Sequence, residues 1–281
     1  MDSPVAVSQR VLSPEHPRGT WVAVTSGKGG VGKSQVAANV AICLARSGRR
    51  VRLVDADLAL GNVDILMNVR SRNTLADVVN GRKRIEEVIQ VGPYGLEVVF
   101  AASGSERLAD LEEFQRGRLV QEMAQLRYNA DFLVLDTAAG IARPVIHFCL
   151  AADQVWVVTT PEATAMAGAY SMIKVLVRNG FRGYLSLVVN MADNPLQAKH
   201  VYQKMAKVAQ HFLDAHVHYA GSLLRDEHVV TAVRTRRPVV MAYPKSQISL
   251  SLAAMAARLG EGPTFKTESQ PLLKRVVNWL C

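Results

Sequence analysis

Cysteine is scarce in this chain of 281 residues: only Cys43, Cys149 and Cys281 are present, and no two of them form a Cys-x-x-Cys pair. Such an odd, widely spaced set of thiols excludes a disulfide scaffold and is typical of a reducing compartment. It also excludes an electron carrier with an iron–sulfur cluster, which needs several thiolate ligands close together. Cys43 and Cys149 lie in apolar helical stretches, so we expect both in the core.

Long apolar runs are absent as well. No run approaches the ~20 residues that span a membrane, and residues 1–18 contain no apolar stretch of the kind found in secretory signals. We therefore predict a cytoplasmic protein. Residues 1–19 contain three prolines and no periodicity, and we interpret them as a flexible leader.

Aromatic residues make up only 6% of the chain, although its formal net charge is +9. That charge would suit nucleic acid or an anionic membrane. The basic residues nevertheless occur in short runs, at 49–52, 82–84 and 234–237, without interleaved aromatic residues. Such runs are typical of solvated surfaces, so direct DNA binding is not expected.

The strongest motif is the octapeptide GKGGVGKS at 27–34, which follows an apolar run at 21–25. A strand, a glycine-rich turn and a Lys-Ser pair that opens a helix form the phosphate-binding loop of P-loop NTPases. Lys33 would reach the β- and γ-phosphates, and the Ser34 hydroxyl would bind Mg²⁺. The predicted nucleotide-binding residues of this segment are Gly27, Lys28, Gly29, Gly30, Val31, Gly32, Lys33, Ser34 and Gln35.

Apolar runs that alternate with helical patterns predict the fold. Near-continuous apolar strands are typical of a parallel sheet that is covered on both faces. The sequence therefore predicts a doubly wound α/β ATPase domain over residues 20–260, with a mostly parallel sheet of about seven to eight strands and helices on both faces. The predicted strands are 21–25, 51–55, 96–100, 131–136, 154–160, 184–190 and 217–220, and the best-defined helices are 33–47 and 195–214.

Acidic residues follow two of the predicted strands. Asp55 and Asp57 end the second strand, and Asp136 ends a later one that is followed by Gly140. Because the carboxyl ends of parallel strands meet at one edge, we expect these groups to face the phosphates, although any single Asp could instead cap a helix or a turn. We predict a metal site formed by Ser34, Asp55, Asp57 and Asp136, with Gly140 in a mobile switch near the γ-phosphate.

Lys28, five positions before Lys33, is not demanded by an ordinary phosphate-binding loop. With it, the loop resembles the deviant Walker A loop of the MinD/ParA family of ATPases. Within that family the chain is most similar to the flagellar-number regulators of the FlhG (FleN) type. The collinear stretches that carry the likeness are DADLALGNVDILMNV (55–69), TLADVVNGR (74–82), FAASG (100–104), LDTAAGIA (135–142), AYSMIK (169–174) and VVNMA (188–192).

The resemblance implies a slow, Mg²⁺-dependent ATPase that forms a sandwich dimer when ATP binds. It implies that Lys28 crosses to the phosphates of the partner and that Asp57 assists the hydrolytic water. It also implies that Asp55 and Asp136 act near Mg²⁺.

The same resemblance implies that Asn190 contacts the adenine ring and that Asp226 belongs to the nucleotide site. Leu224 stands where the family commonly has proline before the x-Asp pair. Gly168, just before the AYSMIK stretch, stands where close relatives often have aspartate.

By resemblance, the process controlled is the number or placement of flagella, and the partners are an FlhF-like GTPase, a flagellar C-ring component and a flagellar master transcription activator. The leader lacks the Asp-Gln-Ala element that some relatives use to stimulate the GTPase. Two alternatives share the same chemistry: a MinD-type division-site regulator and a ParA-type DNA-partition ATPase. A third is a binding module that holds nucleotide without cleaving it.

The C-terminal residues 271–281, which follow a predicted linker at 261–270, place five apolar side chains along one helical face. Such a short, basic, Trp-containing amphipathic helix can lie in a bilayer interface, or it can pack on its own domain. The family resemblance favours the bilayer, since members carry a membrane-targeting helix at this place. We therefore predict that the ATP-bound dimer associates peripherally with the inner membrane.

Overall fold

The computed structural model describes residues 19–57, 61–101, 122–123 and 125–261. Several sequence predictions lie outside these ranges: the leader up to residue 18, part of the LALGN stretch at 58–60, Cys281, and the C-terminal linker and helix beyond residue 261. Within the described ranges, no helix combines the length and the hydropathy needed to cross a bilayer.

A single sheet of eight strands organises the domain, in the order β3-β4-β2-β5-β1-β6-β7-β8. All neighbouring strands are parallel except β3 and β4, which are antiparallel. The strands are β1 Thr20–Ser26, β2 Val51–Ala56, β3 Gln90–Val91, β4 Glu97–Val99, β5 Phe132–Ala139, β6 Gln154–Thr159, β7 Tyr184–Ala192 and β8 His218–Leu224.

Helices cover both faces of the sheet, and each face has its own apolar cluster. The helices α3, α4, α5 and α6 contribute side chains to one cluster, whereas α1, α2, α7, α8 and α9 contribute to the other. The helices are α1 Lys33–Arg46, α2 Val63–Met67, α3 Leu75–Val79, α4 Arg143–Ala151, α5 Ala163–Arg178, α6 Pro195–Leu213, α7 Glu227–Arg234, α8 Val239–Ala242 and α9 Gln247–Glu261.

The predicted fold is confirmed, including the two helices with the clearest sequence signals. Helix α1 begins after Gly32 and ends just before Gly48, and both glycines have the positive φ of 85° that favours glycine at such positions. Helix α6 begins at Pro195 after Asn194, whose side chain accepts a hydrogen bond from the N–H of Gln197.

Two differences from the prediction lie at the edges of the sheet. Strand β8 continues through Gly221 and Ser222 to Leu224, although such residues are typical of turns. Its pairing with β7 shifts register near Gly221, which explains how an extended φ of 156° is accommodated in a strand. The two-residue strand β3 was not predicted because its length leaves no periodic signal.

The register of three central strands positions the functional site. Asp55 of β2 lies opposite Asp136 of β5, and Asp136 in turn lies opposite Val24 of β1. The loop after β1 therefore leaves the sheet beside two carboxylates. This juxtaposition depends only on strand order and register, and it sets the chemistry described below.

Candidate nucleotide-binding site

The glycine-rich loop runs from the end of β1 into α1, as the sequence predicts. Gly32 is the position where glycine is most clearly required. Its φ is 85°, and a Cβ atom there would lie against the side-chain nitrogen of Asn190. Gly29 and Gly30 face open space, since no heavy atom lies within 4 Å of the position that a Cβ would take. The loop thus presents bare backbone to any ligand above it.

Lys33, the first residue of α1, is buried and pairs with a buried carboxylate. Its Nζ lies 2.6 Å from Oδ1 of Asp136 and 3.3 Å from Oγ of Ser34. Burial raises the pKa of Asp136 above its usual value, and the charge and hydrogen bond of Lys33 only partly oppose this effect. The ammonium group is therefore fixed beside the loop at the point where a phosphate would enter.

Asp55 adds a second buried carboxylate to the same cluster. Its oxygens accept hydrogen bonds from the backbone N–H groups of Asp57, at 3.1 Å, and Val63, at 3.2 Å. Burial, followed by the nearby charge of Asp136, raises the pKa of Asp55 to about 7. Two buried carboxylates thus share one ammonium group.

This charge imbalance fits a divalent cation. Carboxylate and hydroxyl oxygens are hard donors of the kind that Mg²⁺ prefers, and Asp55, Asp136 and Ser34 supply them within one cluster. A cation beside them would offset the burial that now raises both carboxyl pKa values. The donor set and its electrostatics therefore suit Mg²⁺ brought with a nucleotide.

Lys28 lies at the surface of the loop and has other partners. Its Nζ donates to Oε2 of Glu162 at 2.8 Å and to Oγ1 of Thr164 at 3.0 Å. Both partners stand at the beginning of α5, so the extra lysine is held by its own subunit. The hydrogen bond and charge of Lys28 lower the pKa of Glu162, although the pair is exposed to solvent.

The loop and α5 also touch through their backbones. A Cβ atom on Gly168 would lie 2.9 Å from the carbonyl carbon of Gly27, which real Cβ atoms essentially never approach. Glycine at 168 therefore permits the close approach of α5 to the loop. An aspartate at this position would require the loop or the helix to move.

Beside the loop lies a cavity of about 510 Å³, large enough for a nucleobase. Most of its wall is apolar. Asn190 stands in this wall, nearly buried, and its Nδ2 donates to the carbonyl of Val31 at 2.8 Å. The predicted residues Gly32, Gln35, Asn190 and Asp226 all line the cavity, as does Leu224.

Asp226 also has a structural task. Its Oδ1 accepts the backbone N–H of His228 at 2.9 Å and caps α7. Burial would raise the pKa of Asp226, but the hydrogen bonds from His228 outweigh it and hold the pKa below its usual value. This is the helix-capping interpretation that a single Asp allows, and the side chain borders the cavity as well.

The switch residues take positions that differ from those expected with a bound nucleotide. Gly140, at φ 92°, donates its N–H to the carbonyl of Ser26 at 2.8 Å. A contact of this N–H with the γ-phosphate, as predicted from the sequence, would require that bond to break. Asp57 follows β2 directly, one step outside the buried pair of carboxylates.

Sequence reasoning missed Glu162 and Thr164. Glu162 follows the end of β6 by a few residues, so the rule that drew attention to Asp55 and Asp136 could have found it. The intervening Pro161 and the lack of a second carboxylate made it resemble an ordinary turn. It also missed Asn39, whose buried Oδ1 accepts the N–H of Val240 and holds α8 against α1.

Comparison with known proteins gives a consistent result. The family model described as ParA, NUBPL iron-transfer P-loop NTPase, matches residues 19–260. The chain is 41% identical to the antiactivator FleN of Pseudomonas aeruginosa over 86% of each chain. It is 32% identical to the flagellum site-determining protein YlxH of Helicobacter pylori over 85% of this chain and 81% of that one.

Among solved structures, the fold is similar to that of the septum site-determining protein MinD of Pyrococcus horikoshii in complex with Mg-ADP. The TM-score is 0.72 at 21% sequence identity, and the match covers 88% of this chain and 99% of that one. This likeness supports the fold.

Replacing Lys33 should remove nucleotide binding, whereas replacing Lys28 should largely spare it. Lys33→Ala deletes the buried cation beside the loop, and we expect ATP affinity to fall on the order of 100-fold. Lys28→Ala removes an exposed group that pairs with Glu162, so we expect a change of roughly threefold or less. Titration calorimetry with ATP and Mg²⁺ measures both, with Lys245→Ala as control. Equal losses in the two loop variants would contradict this assignment.

Gly168→Ala tests the contact between α5 and the loop by the sign of its effect. Within a helix this change normally stabilises a protein by up to about 1 kcal/mol. Here the new Cβ meets the backbone of Gly27, so we expect a lower midpoint of urea unfolding and weaker ADP binding. Ser171→Ala, on the same helix, should change neither. An increase in stability with unchanged ADP affinity would show that this contact is not tight.

Proposed function

Because the chain belongs to the MinD/ParA family of P-loop ATPases, we propose that it is an ATP-hydrolysing switch that regulates the number or placement of flagella. The observation that carries this proposal is the cluster of Lys33, Asp136 and Asp55 beneath the loop, in a chain 41% identical to the antiactivator FleN. The cluster supports nucleotide chemistry. The relatives FleN and YlxH suggest the process.

Gly27 to Gln35 would hold the phosphates of ATP, mainly through backbone N–H groups and Lys33. Asn190 and the cavity wall would hold adenine. The Nδ2 of Asn190 already donates to Val31, so its Oδ1 can accept the amino group that distinguishes adenine from guanine. Ser34, Asp55 and Asp136 would hold Mg²⁺, which neutralises charge on the phosphates when it is bound.

Hydrolysis requires groups that the isolated subunit does not yet bring together. We propose that ATP draws Lys28 from Glu162 and Thr164 to the phosphates held by a second copy of the chain. Two such crossings would close a sandwich dimer. Asp57 would then orient the attacking water, and the N–H of Gly140 would leave Ser26 and donate to the terminal phosphate.

The dimer is the state that would act on partners. We propose an FlhF-like GTPase, a flagellar C-ring component and a master transcription activator as protein partners, and the inner membrane as the surface bound by residues 271–281. A single amphipathic helix binds weakly, but two in one dimer bind more tightly through avidity. The ADP-bound monomer would leave the membrane for the cytoplasm.

Other functions within the family are less well supported. A division-site regulator of the MinD type shares the site, but the match to FleN is stronger than that to MinD of Bacillus subtilis, at 33% identity. A DNA-partition ATPase would require ATP-dependent, salt-sensitive DNA binding. Iron transfer would need accessible thiolates, and Cys43 and Cys149 are both buried, with burial raising the pKa of each thiol.

Nucleotide-dependent dimerisation tests the switch. With ATP and Mg²⁺, Asp57→Ala should elute as a dimer in size exclusion with light scattering, since it binds ATP but hydrolyses it slowly. With ADP it should be a monomer. Lys28→Ala should remain monomeric with either nucleotide. A dimer of Lys28→Ala as abundant as that of the unmodified protein would sink the sandwich model, as would a mass indifferent to nucleotide.

Expression in Pseudomonas aeruginosa without its own FleN tests the flagellar role. We expect the chain to lower the number of flagella per cell, counted by electron microscopy, and Lys33→Ala at equal abundance to have no effect. No change with either protein would contradict the flagellar function while leaving the ATPase switch intact.

Truncation after Gly262 tests the membrane interaction. The shortened protein should retain ATP affinity but lose ATP-dependent co-sedimentation with vesicles that contain phosphatidylglycerol. The unmodified protein with ADP serves as the control for weak, monomeric binding. Unchanged sedimentation of the truncated protein would rule out the C-terminal helix as the membrane anchor.

A further inference from the structure

Two neighbouring helices, α5 and α6, contain no acidic residue at all. They pack against each other on the same face of the sheet, and α6 is the longest helix described, at 19 residues. Together they carry five basic side chains, Lys174, Arg178, Lys199, Lys204 and Lys207. A surface helix normally mixes both signs of charge, so a pair without carboxylates needs an explanation.

The charge of this surface is not neutralised by its neighbours. Within the described ranges, every ion pair involves a basic group from another part of the chain. Lys199, Lys204 and Lys207 are all exposed, and Gln203 and Gln210 lie between and beside them. The outer face of α6 is therefore a cationic strip with amide hydrogen-bonding groups.

Apolar side chains stand at both ends of this strip. Leu196 in the first turn is 76% exposed, and Phe212 in the last turn is 68% exposed. The ring of His211 meets that of Phe212 edge to face, with centroids 4.7 Å apart, which restricts the position of the phenylalanine. Exposed large apolar residues beside a charged strip are typical of a protein-binding surface.

We propose that the α5–α6 surface docks an acidic, amphipathic helical segment of another protein. Carboxylates of that segment would face the lysines, and its apolar residues would cover Leu196 and Phe212. This inference rests on charge and exposure alone and does not depend on the flagellar role proposed above.

Two other polyanions fit this surface less well. Sixteen positions separate Leu196 from Phe212, so the two side chains point about 160° apart around the helix axis, and no flat membrane can receive both. In addition, the C-terminal segment leaves the domain from α9, which packs on the opposite face of the sheet. Nucleic acid offers a phosphate backbone with no apolar counterpart for Leu196 or Phe212, and Arg rather than Lys would suit bidentate phosphate contacts.

The surface also lies close to the switch. Helix α5 carries Thr164, which holds Lys28, and Gly168, which touches the loop at Gly27. A partner on the outer face of α5 and α6 would thus contact the same rigid helix that holds the loop lysine. Its binding can therefore bias the position of Lys28 without entering the nucleotide site.

The test uses the full-length protein and a labelled synthetic peptide of about 20 residues that alternates Glu and Leu at helical spacing. Lys204→Glu combined with Lys207→Glu should weaken peptide binding by about tenfold or more at roughly 0.15 M salt. Lys245→Glu combined with Arg258→Glu makes the same change of charge on the other face and should cost about twofold or less. Phe212→Ala should weaken binding without changing its salt dependence.

Fluorescence anisotropy measures these affinities, and unchanged ADP binding shows that each variant is folded. Duplex DNA of equal charge and vesicles containing phosphatidylglycerol serve as competitors. Equal losses in the two charge-reversal variants would overturn the proposal, because net charge alone would then explain binding. Tighter binding to DNA or vesicles than to the peptide, lost in the variant with both α6 lysines replaced, would overturn it as well.

Discussion

The buried pair of Lys33 and Asp136 is the interaction on which the rest of the site depends. It joins the first residue of α1 to the end of β5, and the parallel register places Asp55 beside it. Removing one partner of a buried ion pair leaves an uncompensated charge, so neither residue can change alone without large cost. Two carboxylates for one ammonium group also leave a negative excess that suits a divalent cation. The same few atoms therefore stabilise the loop and determine which ligand it accepts.

Around this fixed centre the structure has contacts that can exchange. Lys28 is held by Glu162 and Thr164, and the N–H of Gly140 is held by Ser26. These groups are more exposed than the central pair, and surface ion pairs contribute little to stability. Phosphate contacts can therefore replace them at small energetic cost. A rigid phosphate site and loosely held switch groups are what a nucleotide-driven dimer needs.

Much of this arrangement could be predicted from the sequence, because it follows from local rules. The loop has a fixed spacing of glycines and lysines, buried parallel strands read as apolar runs, and Asp55 and Asp136 end such runs. The partners of Lys28 could not be predicted with the same ease, since they are brought close by the packing of α5 on the loop rather than by spacing along the chain. Gly168 illustrates the point: it departs from its relatives, and only the contact with Gly27 explains why glycine is needed there.

The central claim is that ATP moves Lys28 from its own subunit to the phosphates of another. A crystal structure of the Asp57→Ala variant with ATP and Mg²⁺ tests it most directly. We expect a dimer in which Nζ of Lys28 lies about 3 Å from phosphate oxygens bound by the partner. A structure with ATP bound and Lys28 still on Glu162 and Thr164 would contradict the account.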